Sequence, residues 1–339
     1  MLRFLPLAGV LLLTSVARAQ TAPKWSGPLP VRNERPFQSA FLHFEPLSPD
    51  VLQRGQSGYG LAFHIANNLL IPRDSNGSSV EEDFETGRGE LNYSRGLGRG
   101  LEVGARLNFL VRDAGSLDNL ISFYHRVLGV RGNGSDSPAG RDNIPRGRDI
   151  LFFQDAQGNG VNQGGVTGFG DTVLEARRQL SDGPFTSALH MGLKIPTGNG
   201  ARILGSGGTD FGIGFDARRE FGGRLALFGN AGAFLYGGSK IPNASKSGAQ
   251  AGLGFEFRAG SRDSFVAQVD AQTRTVRTGN SFADRLPVLA SVGYKRRLSE
   301  RKTLFVSFSE NGDYINYHAP YLSNIGPDLT LSIGLQVRR

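Results

Sequence analysis

The most constraining feature of this chain is an alternation of apolar and polar residues at every second position. The clearest apolar series is Leu101, Val103, Ala105, Leu107, Phe109 and Val111. A period of two places alternate side chains on opposite faces of a β-strand. Twelve such stretches follow one another between residues 58 and 337. Because each has one apolar face, the faces need either a large protein core or a lipid bilayer to cover them.

The connections between the twelve stretches alternate in length. Short turns follow the second, fourth, sixth, eighth and tenth stretches, and longer segments follow the others. Bacterial outer-membrane barrels have an even strand number, short periplasmic turns and longer extracellular loops. A soluble β-sandwich also alternates, but nothing in it would enforce this difference between loops. The pattern predicts an all-β protein, a transmembrane antiparallel β-barrel of about 12 strands, in which one long extracellular loop carries a short helix.

The first 56 residues differ from the rest of the chain. Residues 1–19 have a basic start, an apolar stretch and the sequence Ala17-Arg18-Ala19, which predict a cleaved signal peptide. Residues 20–56 are proline-rich and predict an irregular N-terminal arm, periplasmic or lumenal, in which Phe37 to Phe44 has the pattern of a short strand. The barrel is then predicted to span residues 57–339. The expected location is the bacterial outer membrane.

Charge and composition exclude some partners. The net charge is +8, but the basic residues are scattered rather than massed in a tail or stripe, so nucleic acid is not an expected partner. The expected partners are outer-membrane lipid, lipopolysaccharide, the outer-membrane assembly machinery and a small solute of unknown identity. The apolar faces show no polar seam, so a monomer is expected.

If the apolar faces contact lipid, the opposite faces line the barrel interior. They carry as many acidic as basic residues: Glu90, Glu102, Arg106, Asp171, Glu175, Arg177, Lys194, Asp210, Asp216, Arg218, Glu256, Arg258, Asp270, Arg274, Lys295 and Arg297. Charges in an interior must be paired or hydrated. Two compatible interpretations stay open, a rigid ladder of ion pairs and the lining of a water-filled path. Since about eight strands fill their own interior and about sixteen leave a channel, twelve predict a narrow or plugged pore.

The longest loop, residues 113–168, begins with a helical pattern. Apolar residues recur at helical spacing from Leu117 to Leu128, which predicts an amphipathic helix of about three turns. The loop could constrict the barrel, cap its mouth or pack as an ordinary surface loop. The candidate constriction residues are Tyr124, His125, Arg131, Arg141, Arg146 and Arg148. These arginines suit an anionic solute or lipid phosphate, although neighbouring aspartates would satisfy them equally.

Motifs for catalysis, metals and cofactors are not recognised. The histidines show no metal-ligand spacing, and the calcium-like segment beginning at Asp155 has Val166 where a glutamate is required. A serine near His125 would permit a membrane-embedded lipid hydrolase without indicating one. The sequence therefore predicts no catalytic residue, no metal and no cofactor.

Several short motifs together resemble an uncharacterised bacterial outer-membrane β-barrel family, domain of unknown function 3187. They are Asn33 to Pro36, Leu117-Asp118 with Ile121, His125 and Gly129, Gly168 with Gly170 and Asp171, Pro196-Thr197-Gly198, Gly205 with Gly207 and Asp210, Ser309-Glu310 and Pro327-Asp328. The resemblance implies an outer-membrane barrel with no established substrate, and it transfers no site residue. The function expected first is a narrow passive pore or solute-uptake protein. The alternatives are a non-conducting structural or surface-interaction barrel and an outer-membrane lipid hydrolase.

Overall fold

The computed structural model describes residues 25–71, 77–115, 117–128, 145–310 and 327–339. The strands are β1 (Ser57–Leu70), β2 (Ser79–Gly98), β3 (Leu101–Asp113), β4 (Ile150–Gln154), β5 (Gly160–Gln163), β6 (Val166–Phe169), β7 (Thr172–Ser181), β8 (Phe185–Ile195), β9 (Asp210–Phe221), β10 (Leu225–Leu235), β11 (Ser247–Arg258), β12 (Asp263–Gln272), β13 (Val288–Ser299), β14 (Lys302–Glu310) and β15 (Leu329–Arg338). The helices are α1 (Pro36–Ser39) and α2 (Asp118–Leu128), with a 3₁₀ turn at Gly200–Arg202. None of these helices is long and apolar enough to cross a membrane.

The strands form one closed antiparallel barrel. Neighbouring strands pair in chain order, and β15 returns to β1, with Gly58 opposite Arg338. Both β6 and β7 pair with β3 and together form one strand interrupted at residues 170–171. The barrel therefore has 12 strands, and the hairpin of β4 and β5 extends the start of β2 beyond it. The predicted fold class and strand number are confirmed.

The two ends of the barrel differ in their connections. The connections after β2, β7, β9, β11 and β13 are tight turns, and we call the end that carries them the short-turn end. The other connections meet at the opposite, long-loop end. The predicted helix forms as α2 in the longest of them, but the β4–β5 hairpin in the same loop was not predicted.

The outward faces of the barrel are apolar and uncovered. Phe63, Leu107 and Ile333 are 56%, 46% and 49% exposed, whereas the inward Glu90 and Arg106 are buried. Exposed aromatic residues lie towards the short turns: Tyr59, Tyr93, Phe185, Phe221, Phe257 and Phe265. An apolar band edged by aromatic residues is the exterior that a bilayer covers.

The N-terminal arm, residues 25–56, lies inside the barrel as a hairpin. The first limb begins at the short-turn end, α1 and Ala40 form the tip near the long-loop end, and the second limb returns to the short-turn end. Phe37 to Phe44, which has the pattern of a short strand, forms most of α1 and irregular backbone instead. Pro36 at the start of α1 favours a helical turn there, and the backbone beyond Ala40 bonds to wall side chains instead of a neighbouring strand.

Candidate functional site: the filled lumen

An apolar cluster surrounds the tip of the arm. Phe37 packs edge-on against Phe153 of β4 with 5.3 Å between ring centroids, and Phe41 lies 5.0 Å from the ring of Tyr236. We call the buried members the tip seal: Phe37, Ala40, Phe41, Val80, Phe84, Leu151, Phe153, Ile203, Ile241, Val276 and Ala283. These side chains come from the arm, β2, the β4–β5 hairpin and three long connections. The tip seal therefore joins the arm to several separate parts of the long-loop end.

The hairpin that contributes Phe153 is fixed by a hydrogen-bonded turn. Asp155 accepts hydrogen bonds from the backbone N–H groups of Gln157 and Asn159 at 2.9 and 2.8 Å, and from Asn243 Nδ2 at 2.8 Å. The bonds from Asn243 and Asn159 hold the pKa of Asp155 below its ordinary value. Because Asn243 belongs to the connection between β10 and β11, Asp155 ties two loops together over the tip seal.

A buried ion pair lies beside the tip seal. Arg35 donates from Nε and Nη2 to Glu82 of β2 at 2.7 to 2.9 Å, and from Nη1 to the carbonyl of Ala283 at 3.3 Å. Both charged side chains are almost fully buried. Removing one partner of such a pair leaves an uncompensated buried charge and costs about 3–5 kcal/mol. The pair therefore fixes the tip to the barrel wall.

The limbs of the arm are held by an ion network centred on Arg88 of β2. Its guanidinium lies 2.8 Å from Glu34 of the first limb and 3.4 Å from Glu45 of the second, and it also pairs with Glu90. Arg106 of β3 lies 3.3 Å from Glu45. One wall arginine thus binds both limbs at once, through charge-assisted hydrogen bonds.

Two wall glutamines bind the extended backbone of the limbs. Gln250 accepts from the N–H of Phe44 at 2.9 Å and donates to its carbonyl at 2.8 Å. Gln268 does the same for Leu29, at 2.8 and 3.2 Å. A buried backbone amide must be paired, so each side-chain amide takes the place of the strand that the arm lacks.

Phe44 fills a recess in the wall at three glycines, which have no side chain. Its ring stacks on His190 with 3.9 Å between centroids. A Cβ atom at Gly192, Gly214 or Gly232 would lie 2.6, 2.9 or 3.2 Å from the Phe44 side chain. These glycines belong to β8, β9 and β10, so the wall is shaped to receive the arm.

Free space in the lumen decreases towards the tip. A cavity of about 170 Å³ lies between the limbs and the wall at the short-turn end. Its charged lining comprises Glu45, Asp50, Glu102, Arg106, Glu175, Arg177, Lys295 and Arg338. Cavities of only about 30 and 20 Å³ lie further along the arm. Since one water needs roughly 10–15 Å³ of such space, the first cavity holds on the order of ten waters and the smaller ones a few at most.

The charged residues that the sequence analysis assigned to the inner faces are all buried or half-buried. Eleven are buried, and the half-buried ones are Glu175, Arg258, Asp270, Arg274 and Arg297. Several form ion pairs between neighbouring strands, such as Lys194 with Asp210 at 3.3 Å and Arg177 with Glu102 at 3.7 Å. Others bind the arm, as Lys295 does by donating to the carbonyl of Pro28 at 2.6 Å.

Sequence reasoning identified some of the residues that hold the arm, such as Lys295 and Arg106, and missed others. The most important omission is Arg88, which lies two positions before Glu90 and therefore on the same face of β2. The alternation itself contained that signal. The alternation also places Gln250 and Gln268 on inward faces, but their partners, like those of Glu34 and Glu45, depend on the path of the arm.

The constriction predicted in the longest loop stays a prediction. Arg146 is exposed and donates to Asn119, and Arg148 pairs with Glu81 and lies 3.7 Å from Asp83. Arg131 and Arg141 lie outside the described residues. For Tyr124 and His125 only the backbone, within α2, is described.

Comparison with known proteins agrees with this architecture. Residues 7–338 match the profile of the family described as Protein of unknown function (DUF3187). The fold is similar to the COG4313 outer membrane channel from Pseudomonas putida F1, with 13% identity and a TM-score of 0.56 over 88% of this chain and 100% of that one. The KdgM porin is more distant, with 6% identity and a TM-score of 0.43 over 83% and 98%. No curated protein sequence matches significantly. The likeness concerns the fold alone.

Proposed function

The chain belongs to the DUF3187 family, whose function is unknown, and we propose that it is a plugged outer-membrane channel for a small polar solute. In this proposal the N-terminal arm is the plug, transport is passive, and the short-turn end faces the periplasm. One chain closes the barrel without a partner, and the proposal takes the protein as a monomer.

The observation that carries the proposal is that the N-terminal arm, and not the side chains of the wall alone, fills the lumen. A barrel of about eight strands fills its interior with its own side chains, and a wider one leaves space. Here the space is filled by residues 25–56, a segment joined covalently to the wall only at the start of β1. Inward glycines such as Gly214 leave the wall recessed where the arm lies. Displacement of the arm would therefore open a path.

The contacts of the limbs favour a plug that can move. They combine ion pairs and hydrogen bonds, such as Glu34 with Arg88 and Leu29 with Gln268, with three small apolar clusters around Trp25, Leu29 and Phe44. Water can replace a neutral hydrogen bond at a net cost of about 0.5–1.5 kcal/mol and one to a charged group at about 1.5–3 kcal/mol. The charges left on the wall are mixed in sign, which supports a small polar solute rather than a strongly selected ion.

A non-conducting structural barrel is the second candidate function. The tip seal favours it, because eight buried apolar residues of the wall and loops pack around three of the arm and water cannot replace such contacts cheaply. Conductance decides between the two functions. A lipid hydrolase would use His125, and that role stays a prediction.

The test compares single-channel currents of the refolded full-length protein with those of Arg35→Met, which removes the buried pair with Glu82. The matched control is Arg148→Gln, since Arg148 pairs with Glu81 at the same end but is about a quarter exposed. Folding is verified by the heat-dependent gel mobility of barrels. We expect rare openings in the wild type and the control, and frequent openings in Arg35→Met. Folded proteins that are all silent would contradict the channel and support the structural barrel.

A further inference from the structure

The exposed surface at the short-turn end is strongly basic. The segments that form this end are residues 53–56, 95–100, 178–185, 219–225, 258–263, 296–302 and 338–339. Their exposed charged residues are two acids, Asp182 and Glu300, and the basic residues Arg54, Arg95, Arg99, Arg178, Arg219, Arg224, Arg262, Arg296, Arg301, Lys302 and Arg339. We call these basic residues the basic rim. The exposed net charge of +9 exceeds the +8 of the whole chain, so the positive charge of the protein is concentrated at one end.

Four arginines of the basic rim lie on outward strand faces rather than in turns. Arg95, Arg178, Arg219 and Arg296 each lie within three residues of the short-turn end of their strand. Lys302, at the start of β14, is the fifth outward basic residue. In the described strands, no lysine or arginine takes an outward position nearer the long-loop end. The asymmetry is therefore a property of the lipid-facing surface itself.

These arginines alternate with the aromatic edge of the apolar band. Arg219 lies opposite Phe185 on the neighbouring strand, and Arg95 follows Tyr93 on the same face. Aromatic side chains of barrels lie at the membrane–water interface. Long basic side chains beside them keep their stems on apolar surface and extend the charged group to the headgroups. The guanidinium groups are therefore placed at the depth of lipid phosphates.

Most of this charge is not compensated within the protein. Arg296 is 3.4 Å from Asp263, and Arg95 donates to the hydroxyl of Ser57 at 2.7 Å. No carboxylate lies within ion-pair distance of Arg178 or Arg219 among the described residues. Guanidinium pairs with a phosphate through two parallel hydrogen bonds. A free arginine at this depth is suited to that partner.

We propose that the basic rim binds anionic glycerophospholipid headgroups in the leaflet at the short-turn end. The group that the arginines recognise is the phosphate diester of a headgroup that has no amine to neutralise its negative charge. An acidic soluble protein could reach the arginines of the turns, such as Arg99 and Arg224, but not residues on strand faces covered by lipid. The outward four therefore favour lipid over a soluble partner. This binding is independent of whether the lumen conducts.

The test is native mass spectrometry of the full-length protein, titrated with phosphatidylglycerol or phosphatidylethanolamine of identical acyl chains. The strand-face variant is Arg95→Gln, Arg178→Gln, Arg219→Gln and Arg296→Gln combined. The matched turn variant removes the same charge through Arg99→Gln, Arg224→Gln, Arg262→Gln and Arg301→Gln. Because each basic residue near a membrane surface contributes to the attraction of anionic lipid, we expect the strand-face variant to lose phosphatidylglycerol affinity at least about tenfold and the turn variant less than about threefold.

Each outcome decides the proposal. Preference for phosphatidylglycerol in the wild type, lost in the strand-face variant alone, supports it. Equal binding of the two lipids by the wild type overturns it. An equal loss in both variants also overturns it, because the attraction would then be a general effect of net charge. A loss confined to the turn variant overturns it as well, because the turn arginines, and not those on the strand faces, would then bind the lipid. Heat-dependent gel mobility shows in every case that the barrel is folded.

Discussion

The tip and the limbs of the N-terminal arm are held by different balances of interaction. The tip lies in one large cluster of aromatic and aliphatic side chains, with Phe37 against Phe153 and one buried ion pair, Arg35 with Glu82. The limbs have only small apolar clusters, are held besides by ion pairs and side-chain amides, and border a cavity of about 170 Å³ at the short-turn end. The tip is thus packed without space for water, whereas the limbs border a cavity that water can fill.

This difference assigns separate tasks to the two regions. Apolar burial has no substitute in water, so the tip resists displacement. Neutral hydrogen bonds are exchanged with water at a smaller net cost, so the stretches of the limbs that such bonds hold can hydrate while the tip stays in place. In the proposed channel the long-loop end is then the gate, and the short-turn end is a vestibule. Because the native chain has no cysteine, Ser39→Cys at the tip introduces a single thiol, the tip thiol, whose reaction with a membrane-impermeant maleimide reports the opening of that gate.

The largest effect is expected from Arg88→Met in the Ser39→Cys protein. The substitution leaves the carboxylates of Glu34, Glu45 and Glu90 without their shared partner, and breaking a buried pair costs about 3–5 kcal/mol. Both limbs should detach, and the tip thiol should react at least about tenfold faster. The control is Arg178→Met, an exposed wall arginine. If the tip thiol stays as protected as in the parent protein, the limbs do not hold the arm.

Phe37→Ala should have a slightly smaller effect, confined to the tip. Deleting a buried phenylalanine costs about 3–5 kcal/mol, less where the site can collapse. The tip thiol should become reactive, while the limbs keep their contacts with Arg88. Phe63→Ala is the matched control, because Phe63 faces lipid and is 56% exposed. Equal thiol reactivity in the two variants would show that the tip seal does not close the lumen.

Glu45→Gln should have a moderate effect. The side chain keeps its shape but loses its charge between Arg88 and Arg106, and hydrogen bonds to charged groups contribute about 1.5–3 kcal/mol. The second limb should loosen while the tip stays sealed. Hydrogen exchange should therefore rise at residues 44–52 and not at residues 36–41. A rise at the tip of the same size would contradict the separation of the two regions.

The smallest effect is expected from Asp155→Ala, which removes the bond between two loops above the tip seal. The pKa of Asp155 is lowered by its hydrogen bonds, so its contribution is present above the ordinary aspartate pKa of about 3.9 and is lost as pH falls through the lowered value. The variant should have a slightly lower Tm at pH 7. The two Tm curves should converge at acidic pH. If the Tm difference between the wild type and Asp155→Ala stayed constant down to the most acid pH, the ionised form of Asp155 would not be the source of the stability.

Particular residues show what the sequence could predict. Strand β8 was predictable from the sequence, because its alternation and the turn before it are local signals. The β4–β5 hairpin was missed although Ile150-Leu151-Phe152-Phe153 is an apolar run, since its turn lies within a segment interpreted as loop. The contacts of Gln250 with Phe44 join residues 206 positions apart, and no periodicity encodes them. The barrel was thus predictable from local patterns, while the filling of its lumen depends on long-range pairing.

The claim that the arm is a movable plug is tested most directly by locking it in place. Arg35 of the arm and Glu82 of β2 meet at 2.7 Å, so cysteines at these two positions can be joined by a reducible thiol cross-linker long enough to replace the two side chains. Single-channel currents are recorded in the Arg35→Cys/Glu82→Cys protein, before and after reduction, with each single-cysteine protein as control. The account predicts silence while the link is intact and openings after reduction. Openings of equal size and frequency in the linked protein would show that the arm does not gate the barrel.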